Sequence, residues 1–363
     1  APAADGDLGL MPQTTPSFRV RIGGRDLTDY LSSLFAEAAR LSFLDSVGRS
    51  PLVSIEYVDQ AGGEADRCTL SFARRGVMGV PRSGEAVELW LGYDERGLIE
   101  MPPTYVDRPS SMRSKSDGGR LIRIEATSID TTTDIKSPRT ESPPSSRKLG
   151  DIVSRIAARH GKDPVISVEL VDIRIPNADQ TQESDLHYLS RLAADLGADF
   201  KIVGPRLIFV LRASGRSASG KPLGLPLVLP SSDDIESIEW TGGERGRFGS
   251  VKAFWQDGAM ATRKFVEVGG GEGPAKELRK TYASAEAARK AATAELEDGN
   301  AAVDRIEVTM AGAPWLRAED PFVLPPLEPE YAGDWVIQQI VHTMMKDGFR
   351  SRASLERPRQ AGA

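Results

Sequence analysis

The feature that most constrains this chain is a two-residue alternation of apolar and polar side chains in many short segments. Between residues 18 and 135 it runs through FRVRI, LVSIEYV, CTLSF, AVELWLG, TYV and LIRIEAT. A period of two is typical of antiparallel strands with one face on a core and one in water. It returns between residues 225 and 357 in IESIEW, GSVKAFW, RKFVEV, RIEVTM, PFVL, WVIQQIVH and SRASLE. The sequence therefore predicts two strand-rich parts, each a small antiparallel barrel or sandwich.

A different pattern separates these two parts. The stretch KSPRTESPPSSR, from Lys136 to Arg147, has the composition of a linker. Two helices follow, one before Gly161 and one from Ser184 to Leu196, and the short strands PVISVEL and RLIFVL complete a compact α/β unit. The apolar stripe of the first helix is Leu149, Ile152, Val153, Ile156 and Ala157. RASGRSASGKPLG, at 212–224, is predicted to be a second, flexible linker.

These patterns divide the 363 residues into five segments. Residues 1–17 are expected to form a flexible arm, 18–135 the first barrel, 136–224 the inserted α/β unit with its linkers, 225–357 the second barrel and 358–363 a tail. The second barrel also carries a helix from Ser284 to about Glu297, because its alanines fall on one side.

The two strand-rich parts show a weak internal repeat. CTLSF, AVELWL, TYVDR and SDGGRLIRIEA run parallel to IEVTM, PFVL, WVIQQ and KDGFRSRASLE. Asp117–Arg120 and Asp347–Arg350 each contain an Asp-Gly pair between two strands, which is typical of a tight hairpin. Two interpretations remain open on these residues: unrelated antiparallel barrels that share hairpins, or two copies of one barrel with the α/β unit between them.

Charge and cysteine usage exclude several classes of function. Lys and Arg number 46 against 52 Asp and Glu, a net charge of −6, so we expect no sequence-specific nucleic acid partner. Cys68 is the single cysteine, which excludes an intrachain disulfide and a Cys-based zinc site, and we expect it to be buried. No apolar run approaches the ~20 residues of a bilayer span, so no stable membrane insertion is expected.

The residues that could carry chemistry form no recognisable site. His160, His187 and His342 lack metal-ligand spacing, and VGGGEGPAKEL lacks the Gly-Lys-Ser/Thr ending of a phosphate loop and is expected to be a hairpin tip. The basic run and the acidic group nearest to a glycosidase pair are both expected to be solvated. Those residues are Arg108, Arg113, Lys115, Arg120 and Arg123, and Asp233, Asp234 and Glu236. We expect no catalytic, cofactor-binding or metal-binding residues and no cofactor.

Five segments, in order from about Phe18 to Glu356, carry a resemblance to a known family. They are VPRSGEAVELWLG with TYVDRP downstream, SPRTESPPSSRKLGDIVSRIAARHG, QTQESDLHYLSRLAADLGA, YASAEAARKAATAELE and GDWVIQQIVHTMMKDGFRSRASLE. In these segments the chain resembles the late control D proteins of temperate phages with contractile tails, which are similar to the hub part of type VI secretion spike proteins. It departs from them at Arg67-Cys68 and at Ala318-Glu319-Asp320, where the family usually has an acidic pair and a glycine-containing turn.

The resemblance implies a fold and a role. The fold class would be α+β, mainly β, with two related tail-tube-like antiparallel β-barrel domains and the inserted α/β unit. The role would be a structural baseplate hub, not an enzyme. It would be a homotrimer that joins the sixfold tail tube to the threefold spike, located in the virion tail baseplate and assembled in the host cytoplasm. An internal duplication agrees with that role, because it lets a threefold ring meet a sixfold partner.

The resemblance also implies partners. They are a tail spike protein, expected as a separate chain because 363 residues leave no room for it, the tail tube or tube-initiator protein, other baseplate proteins and the tape measure protein. The alternative function is a peptidoglycan hydrolase at the tail tip, suggested by the surplus of carboxylates.

Overall fold

A computed structural model describes residues 15–40, 53–62, 64–73, 79–114, 119–130, 133–175, 179–212, 218, 227–228, 235–242, 248–257, 262–271, 273–301, 304–324, 331 and 333–358. The first part contains β1 (Pro16–Ile22), β2 (Arg25–Asp26), α1 (Thr28–Arg40), β3 (Val53–Gln60), β4 (Arg67–Ala73), β5 (Ala86–Tyr93), β6 (Gly97–Glu100), β7 (Thr104–Ser114) and β8 (Gly119–Thr127). The inserted part contains a short 3₁₀ turn (Asp134–Lys136), β9 (Pro138–Glu141), α2 (Leu149–Arg159), β10 (Asp163–Ile166), β11 (Gln180–Ser184), α3 (Asp185–Leu196), β12 (Ala198–Val203) and β13 (Arg206–Leu211). The last part contains β14 (Leu227–Val228), β15 (Ile235–Thr241), β16 (Ser250–Asp257), β17 (Thr262–Gly269), β18 (Ala275–Tyr282), α4 (Ala285–Ala301), β19 (Arg305–Ala311), β20 (Pro321–Val323), β21 (Asp334–Met345) and β22 (Gly348–Glu356).

The fold is mainly β, and its largest element is one sheet shared by both strand-rich parts. Its strand order is β15-β19-β22-β21-β3-β4-β8-β7-β5-β1-β2, with β20 and β14 beside β21 and β6 beside β5. The two parts meet where β21 pairs antiparallel with β3, from Gln339 opposite Gln60 to Met344 opposite Ile55. Over the described residues the sheet has two ends and closes into neither of the two expected barrels. In the first part, the outer edge of β3 hydrogen-bonds with β21 of the last part.

The two strand-rich parts repeat one order of strand pairing. The path β3-β4-β8-β7-β5-β1 in the first part corresponds to β15-β19-β22-β21-β20-β14 in the last. Both long hairpins carry a register shift at the same place, after Val106 in β7 and after Ile337 in β21. Tyr105 pairs with Ala86 as Val336 pairs with Pro321. One difference is that β14 pairs in parallel with β20, whereas β1 is antiparallel to β5.

Four groups of buried apolar side chains fill the interior. The first lies under β1, α1, β3, β4, β5, β7 and β8 and also includes Met344 and Phe349 from the last part. A second lies within the insert, a third under β19 to β22, and a small fourth group packs Ala288 and Ala292 of α4 against β16. Helix α4 covers the separate three-stranded sheet β17-β16-β18. The alanine-rich face therefore packs on a sheet as expected.

The predicted helices form, and helix α1 lies where the sequence patterns predict none. Helix α3 runs from Asp185 to Leu196, with the Ser184 hydroxyl accepting from the N–H of His187 and with Gly197 left-handed at φ 63°. Helix α1 was not expected, because the strand-like segments around it dominate this part of the sequence. Its signal was the spacing of Leu31, Leu34 and Ala38, all of which are buried.

The stretch Lys136–Arg147, whose composition predicts a linker, contains a strand. Residues Pro138–Glu141 form β9, which pairs antiparallel with β11, so this stretch is an ordered part of the insert. The predicted arm 1–17 is wrong at its end, because Pro16 and Ser17 belong to β1. Residues outside the described ones are 1–14, Lys115, Asp117, Gly118, Asp233, Asp234 and most of the second linker. The five-segment division stays a prediction.

Candidate assembly site

The junction between β3 and β21 joins the two repeated halves through a buried pair of side chains. Tyr57 lies directly opposite His342, and both are 0% exposed. The Tyr57 hydroxyl donates to the carbonyl oxygen of Pro102 at 3.3 Å, which satisfies its polar end. Burial, followed by the charges of Asp66 and Asp59, raises the pKa of Tyr57 well above its ordinary value. The junction is therefore built as an interior and not as a surface contact.

His342 is held in its neutral form by its surroundings. Burial lowers the pKa of His342 to about 4. Its Nδ1 lies 2.8 Å from Ser351 Oγ and its Nε2 lies 3.4 Å from the carbonyl oxygen of Leu316. Because a carbonyl can only accept, Nε2 carries the proton, and Nδ1 accepts from the Ser351 hydroxyl. That hydroxyl in turn accepts from the backbone N–H of Ala313 at 2.8 Å. This histidine has a structural role beside the junction.

A buried cluster of charges ties the insert to both halves of the sheet. Lys201 Nζ, on β12, lies 2.7 Å from Asp59 Oδ1 and 2.7 Å from Asp66 Oδ1, and donates to the carbonyl oxygen of Gln60 at 2.7 Å. Asp59 Oδ2 also accepts from the backbone N–H of Ala318, in the last part of the chain, at 3.3 Å. One carboxylate therefore contacts all three parts. We call Asp59, Asp66 and Lys201 the charge cluster.

Burial sets the protonation of this region. It opposes the charge on Lys201, but Asp59 and Asp66 outweigh it and raise the pKa of Lys201 to about 12. Burial and the charge of Asp59 raise the pKa of Asp66 to about 7, and Asp66 Oδ2 has no hydrogen-bond partner within the described residues. Burial also raises the pKa of the neighbouring Glu319 to about 7, with a further contribution from the charge of Asp199. Two carboxyl groups here thus titrate near neutral pH.

Glu319 lies in the turn at Ala318-Glu319-Asp320, where the sequence lacks the glycine that is usual in the family it resembles. Its N–H donates to the carbonyl oxygen of Ile337 at 2.7 Å, as the N–H of Gly84 donates to that of Val106 at 2.8 Å in the first half. Gly84 has φ 86° and Glu319 has φ 73°, so a non-glycine residue keeps the left-handed backbone of the turn. The turn is present in both halves although the glycine is not.

His160 belongs to an ion network inside the insert. Its Nε2 lies 2.8 Å from Asp185 Oδ2, and Arg159 Nη1 lies 2.9 Å from the same oxygen. Burial would raise the pKa of Asp185, but its hydrogen bonds from Gln180, His160 and Arg159 lower it. Arg159 also pairs with Glu141 at the end of β9. This network fixes the stretch expected to be a linker, and His160 is part of it.

A cleft lies between the insert and the sheet covered by α4. It has a volume of about 660 Å³ and is lined by parts of α3, β18 and α4. The charged groups that line it include Asp195, which pairs with Lys280 across the cleft, and Arg191, whose Nη2 lies 2.8 Å from Glu183 Oε2. The Asp195–Lys280 pair therefore supports a structural contact between the insert and the last part.

The other candidate residues occupy structural positions. Cys68 is 1% exposed and burial raises its pKa to about 12. His187 is exposed beside Glu183, with Nδ1 2.9 Å from Oε1. Glu236, on β15, pairs with Arg350 at 2.9 Å. The expected hairpin tip at Gly269–Lys276 is wrong, because β17 and β18 do not pair with each other but with opposite edges of β16.

The described members of the basic run lie on β7 and β8. Arg108 and Arg120 are exposed, and Arg123 Nε lies 3.0 Å from Glu125 Oε1 on the same strand. Among the residues that the structure describes, no three or more His, Cys, Asp or Glu are placed to hold a metal ion. None of the described helices is both long and apolar enough to cross a bilayer.

The strand of the repeat that forms the junction was not predicted from the sequence. Tyr57 pairs with Cys68 in the same position as Trp240 pairs with Ile306. The strands β3 and β15 share the sequence Ser-Ile-Glu followed by an aromatic residue, SIEY at 54–57 and SIEW at 237–240. This short identity was the available signal, and it extends the repeat by one strand towards the amino-terminal side of each half.

Comparison with known proteins gives one consistent picture. Residues 145–348 match the family model described as phage tail baseplate hub (GPD). The chain is 28% identical over 241 residues to a probable baseplate hub protein of Escherichia phage 186, and 28% identical over 242 residues to that of Escherichia phage P2. Each match covers 66% of this chain and 56% of the relative, so the chain spans about half the length of the curated relatives it matches.

Solved structures share the fold. The 43 kDa tail protein of prophage MuSo2 from Shewanella oneidensis aligns with a TM-score of 0.65 at 16% identity, over 94% of this chain and 98% of that one. A tail protein from Neisseria meningitidis aligns with a TM-score of 0.64 at 15% identity, over 94% and 97%. An Escherichia coli type VI secretion component, described as similar to T4 tail proteins, aligns with a TM-score of 0.54 at 13% identity, over 86% and 76%.

Proposed function

Because this chain belongs to the phage tail baseplate hub (GPD) family, we propose that it is a structural hub protein of a contractile phage tail. Its place is the tail baseplate of the virion, after assembly in the host cytoplasm. The observation that carries this proposal is the repeated order and register of strand pairing in the two halves of one chain. A hub needs such a repeat because it must offer similar surfaces at more positions than it has chains.

We infer that three copies form a ring with six similar barrel-like units. A threefold ring of duplicated units meets a sixfold tail tube on one side and a threefold spike on the other without a mismatch of symmetry. The buried junction of Tyr57 with His342 supports this, because it joins two such units rigidly within one chain. The partners are then the spike protein, the tail tube or tube-initiator protein, the tape measure protein and other baseplate proteins.

The ring works without catalysis in this proposal. Glu236, the described member of the acidic group, is engaged with Arg350, and Cys68 and His342 are buried in structural contacts. Incubation of the purified protein with peptidoglycan should release neither sugars nor peptides above a heat-denatured control. Turnover that disappears in Glu236→Gln but persists in the matched surface variant Glu239→Gln would instead support the hydrolase alternative.

Two measurements test the hub itself. Light scattering of the purified chain should give three times the 39.3 kDa mass of one copy. Gold-labelled antibodies against the chain, applied to tail particles from the phage or lysogen that encodes it, should bind at one end of the tail. A single-chain mass at every concentration contradicts the ring, and labelling along the tail or none at all contradicts the location.

A further inference from the structure

Trp240 is exposed at a position where its counterpart is buried. In the first half, Tyr57 of β3 is covered by β21 and is 0% exposed, whereas Trp240 of β15 is 41% exposed. Both residues pair on their other side with equivalent strands, β4 and β19. A large aromatic side chain on an exposed strand edge is a common mark of an interaction surface. The two residues thus differ in exposure because β3 has a second neighbouring strand, β21, whereas β15 has none among the described residues.

The strand that corresponds to that neighbour also has an edge that no described residue pairs with. In β21, residues Gln339–Met344 pair with β3. The corresponding part of β7 begins at Arg108, one residue beyond the shared register shift. Within the described residues, 108–114 pair with β8 alone, and β15 pairs with β19 alone. Within the described residues, the chain therefore contains one paired junction, β3 with β21. It also contains the two equivalent strand edges, on β15 and β7, without a pairing partner.

We propose that the β15 edge of one copy adds to the β7 edge of a second copy of this chain, in the register of β3 on β21. This inference rests on the proposed function and names the contact that closes its ring. Transfer of the register places Ser110 opposite Thr241 of the second copy, as Val341 lies opposite Val58. It places Ser111 opposite Trp240 of the second copy, as His342 lies opposite Tyr57. Strand β7 of one copy would then cover Trp240 of the other, as β21 covers Tyr57 within one chain.

The two edges carry opposite net charge. Strand β15 carries Glu236 and Glu239, and the open part of β7 carries Arg108 and Arg113. The proposed register places none of these residues directly opposite another, so their charges favour the approach of unlike edges and do not fix the register. The same charges disfavour β15 on β15 or β7 on β7. Pro109 stands where β21 has Ile340, so the proposed junction has one backbone N–H donor fewer than the internal one.

The contact is head to tail, because a different edge of each copy takes part. Head-to-tail contacts form closed rings when their rotation divides a full turn and open filaments when it does not. The internal junction is the same kind of contact between equivalent strands. A ring that alternates internal and intermolecular junctions closes with three copies when every junction rotates by one sixth of a turn.

Cysteine pairs in the full-length chain test the register directly. Ser110→Cys with Thr241→Cys is the first pair, and Ser111→Cys with Trp240→Cys is a second pair in the same register. The control is Ser111→Cys with Thr241→Cys, which is one residue out of register and faces opposite sides. Directly opposite residues have Cα atoms about 4.5 to 5.5 Å apart, within the range of a disulfide. Native Cys68 is buried and does not compete.

Mild oxidation of both in-register pairs should yield a ladder that ends at covalent trimer, whereas the control and the single-cysteine variants should stay uncrosslinked. The second pair covers the case in which the first variant does not fold. A trimer by light scattering that forms no crosslink in either pair, or that crosslinks the control equally, overturns the edge pairing and leaves the hub ring standing. A monomer that forms no crosslink overturns both.

Discussion

Tyr57 and Trp240 hold the same position in two copies of one strand arrangement, yet one is fully buried and the other is 41% exposed. The burial of Tyr57 depends on β21, which the same chain supplies to β3. The chain does not supply β15 with a corresponding strand among the described residues. Because equivalent residues differ in exposure only where a neighbouring strand is present or absent, we expect a strand from a second copy to cover Trp240.

Removal of the cation from the charge cluster should destabilise the protein strongly. Lys201→Met leaves Asp59 and Asp66 buried without their cation, which costs about 3 to 5 kcal/mol in comparable buried pairs. Lys148→Met is the matched control, because the Lys148–Asp172 pair is exposed and such pairs contribute less than about 1 kcal/mol. Urea unfolding at constant pH measures both. Equal effects of the two substitutions would show that the charge cluster does not hold the insert.

Glu319 should make stability fall as the pH rises. Its folded pKa of about 7 exceeds the ordinary glutamate value of about 4.3, so the unfolded chain releases this proton first. The stabilisation that the protonated group provides is complete below about pH 4 and is lost as the pH rises to about 7. The unfolding free energy of the wild type minus that of Glu319→Gln should therefore decrease across this window and be constant above it. A difference that does not change with pH would refute the burial of a protonated Glu319.

His342 should act in the opposite direction. Its folded pKa of about 4 lies below the ordinary value of about 6.5, so the unfolded chain takes up a proton first as the pH falls. The stability contributed by the neutral ring is present above about pH 6.5 and is lost as the pH falls to about 4. Proton–nitrogen NMR spectra at pH 5 should show a neutral His342 ring with the proton on Nε2. A doubly protonated ring at that pH would contradict the hydrogen bonds assigned to Ser351 and Leu316.

The turn shared by Gly84 and Glu319 predicts substitutions of opposite sign. Both residues have a left-handed backbone, which costs a residue with a side chain about 1 kcal/mol or more. Gly84→Ala should therefore lower the free energy of unfolding by about 1 kcal/mol, and Glu319→Gly should raise it by a similar amount. Thermal unfolding of each variant against the wild type measures the change. Destabilisation by both would mean that the Glu319 side chain contributes more than its backbone conformation costs.

The local patterns predicted most individual elements. Strand β13 and helix α3 lie where their alternation and caps place them, because both depend on neighbouring residues. The pairing of β3 with β21 could not be predicted in the same way, since about 280 residues separate the strands and either could have closed its own half. The charge cluster likewise joins Asp59 to Lys201 across 142 residues. Only the short identity of SIEY and SIEW indicated that β3 and β15 are equivalent.

Electron microscopy of the purified assembly tests the central claim most directly. Class averages viewed along the symmetry axis should show a closed ring of six similar lobes around an opening, with threefold symmetry when the inserts are resolved. A particle with three lobes, a twofold dimer, or a monomer at every concentration would contradict the account.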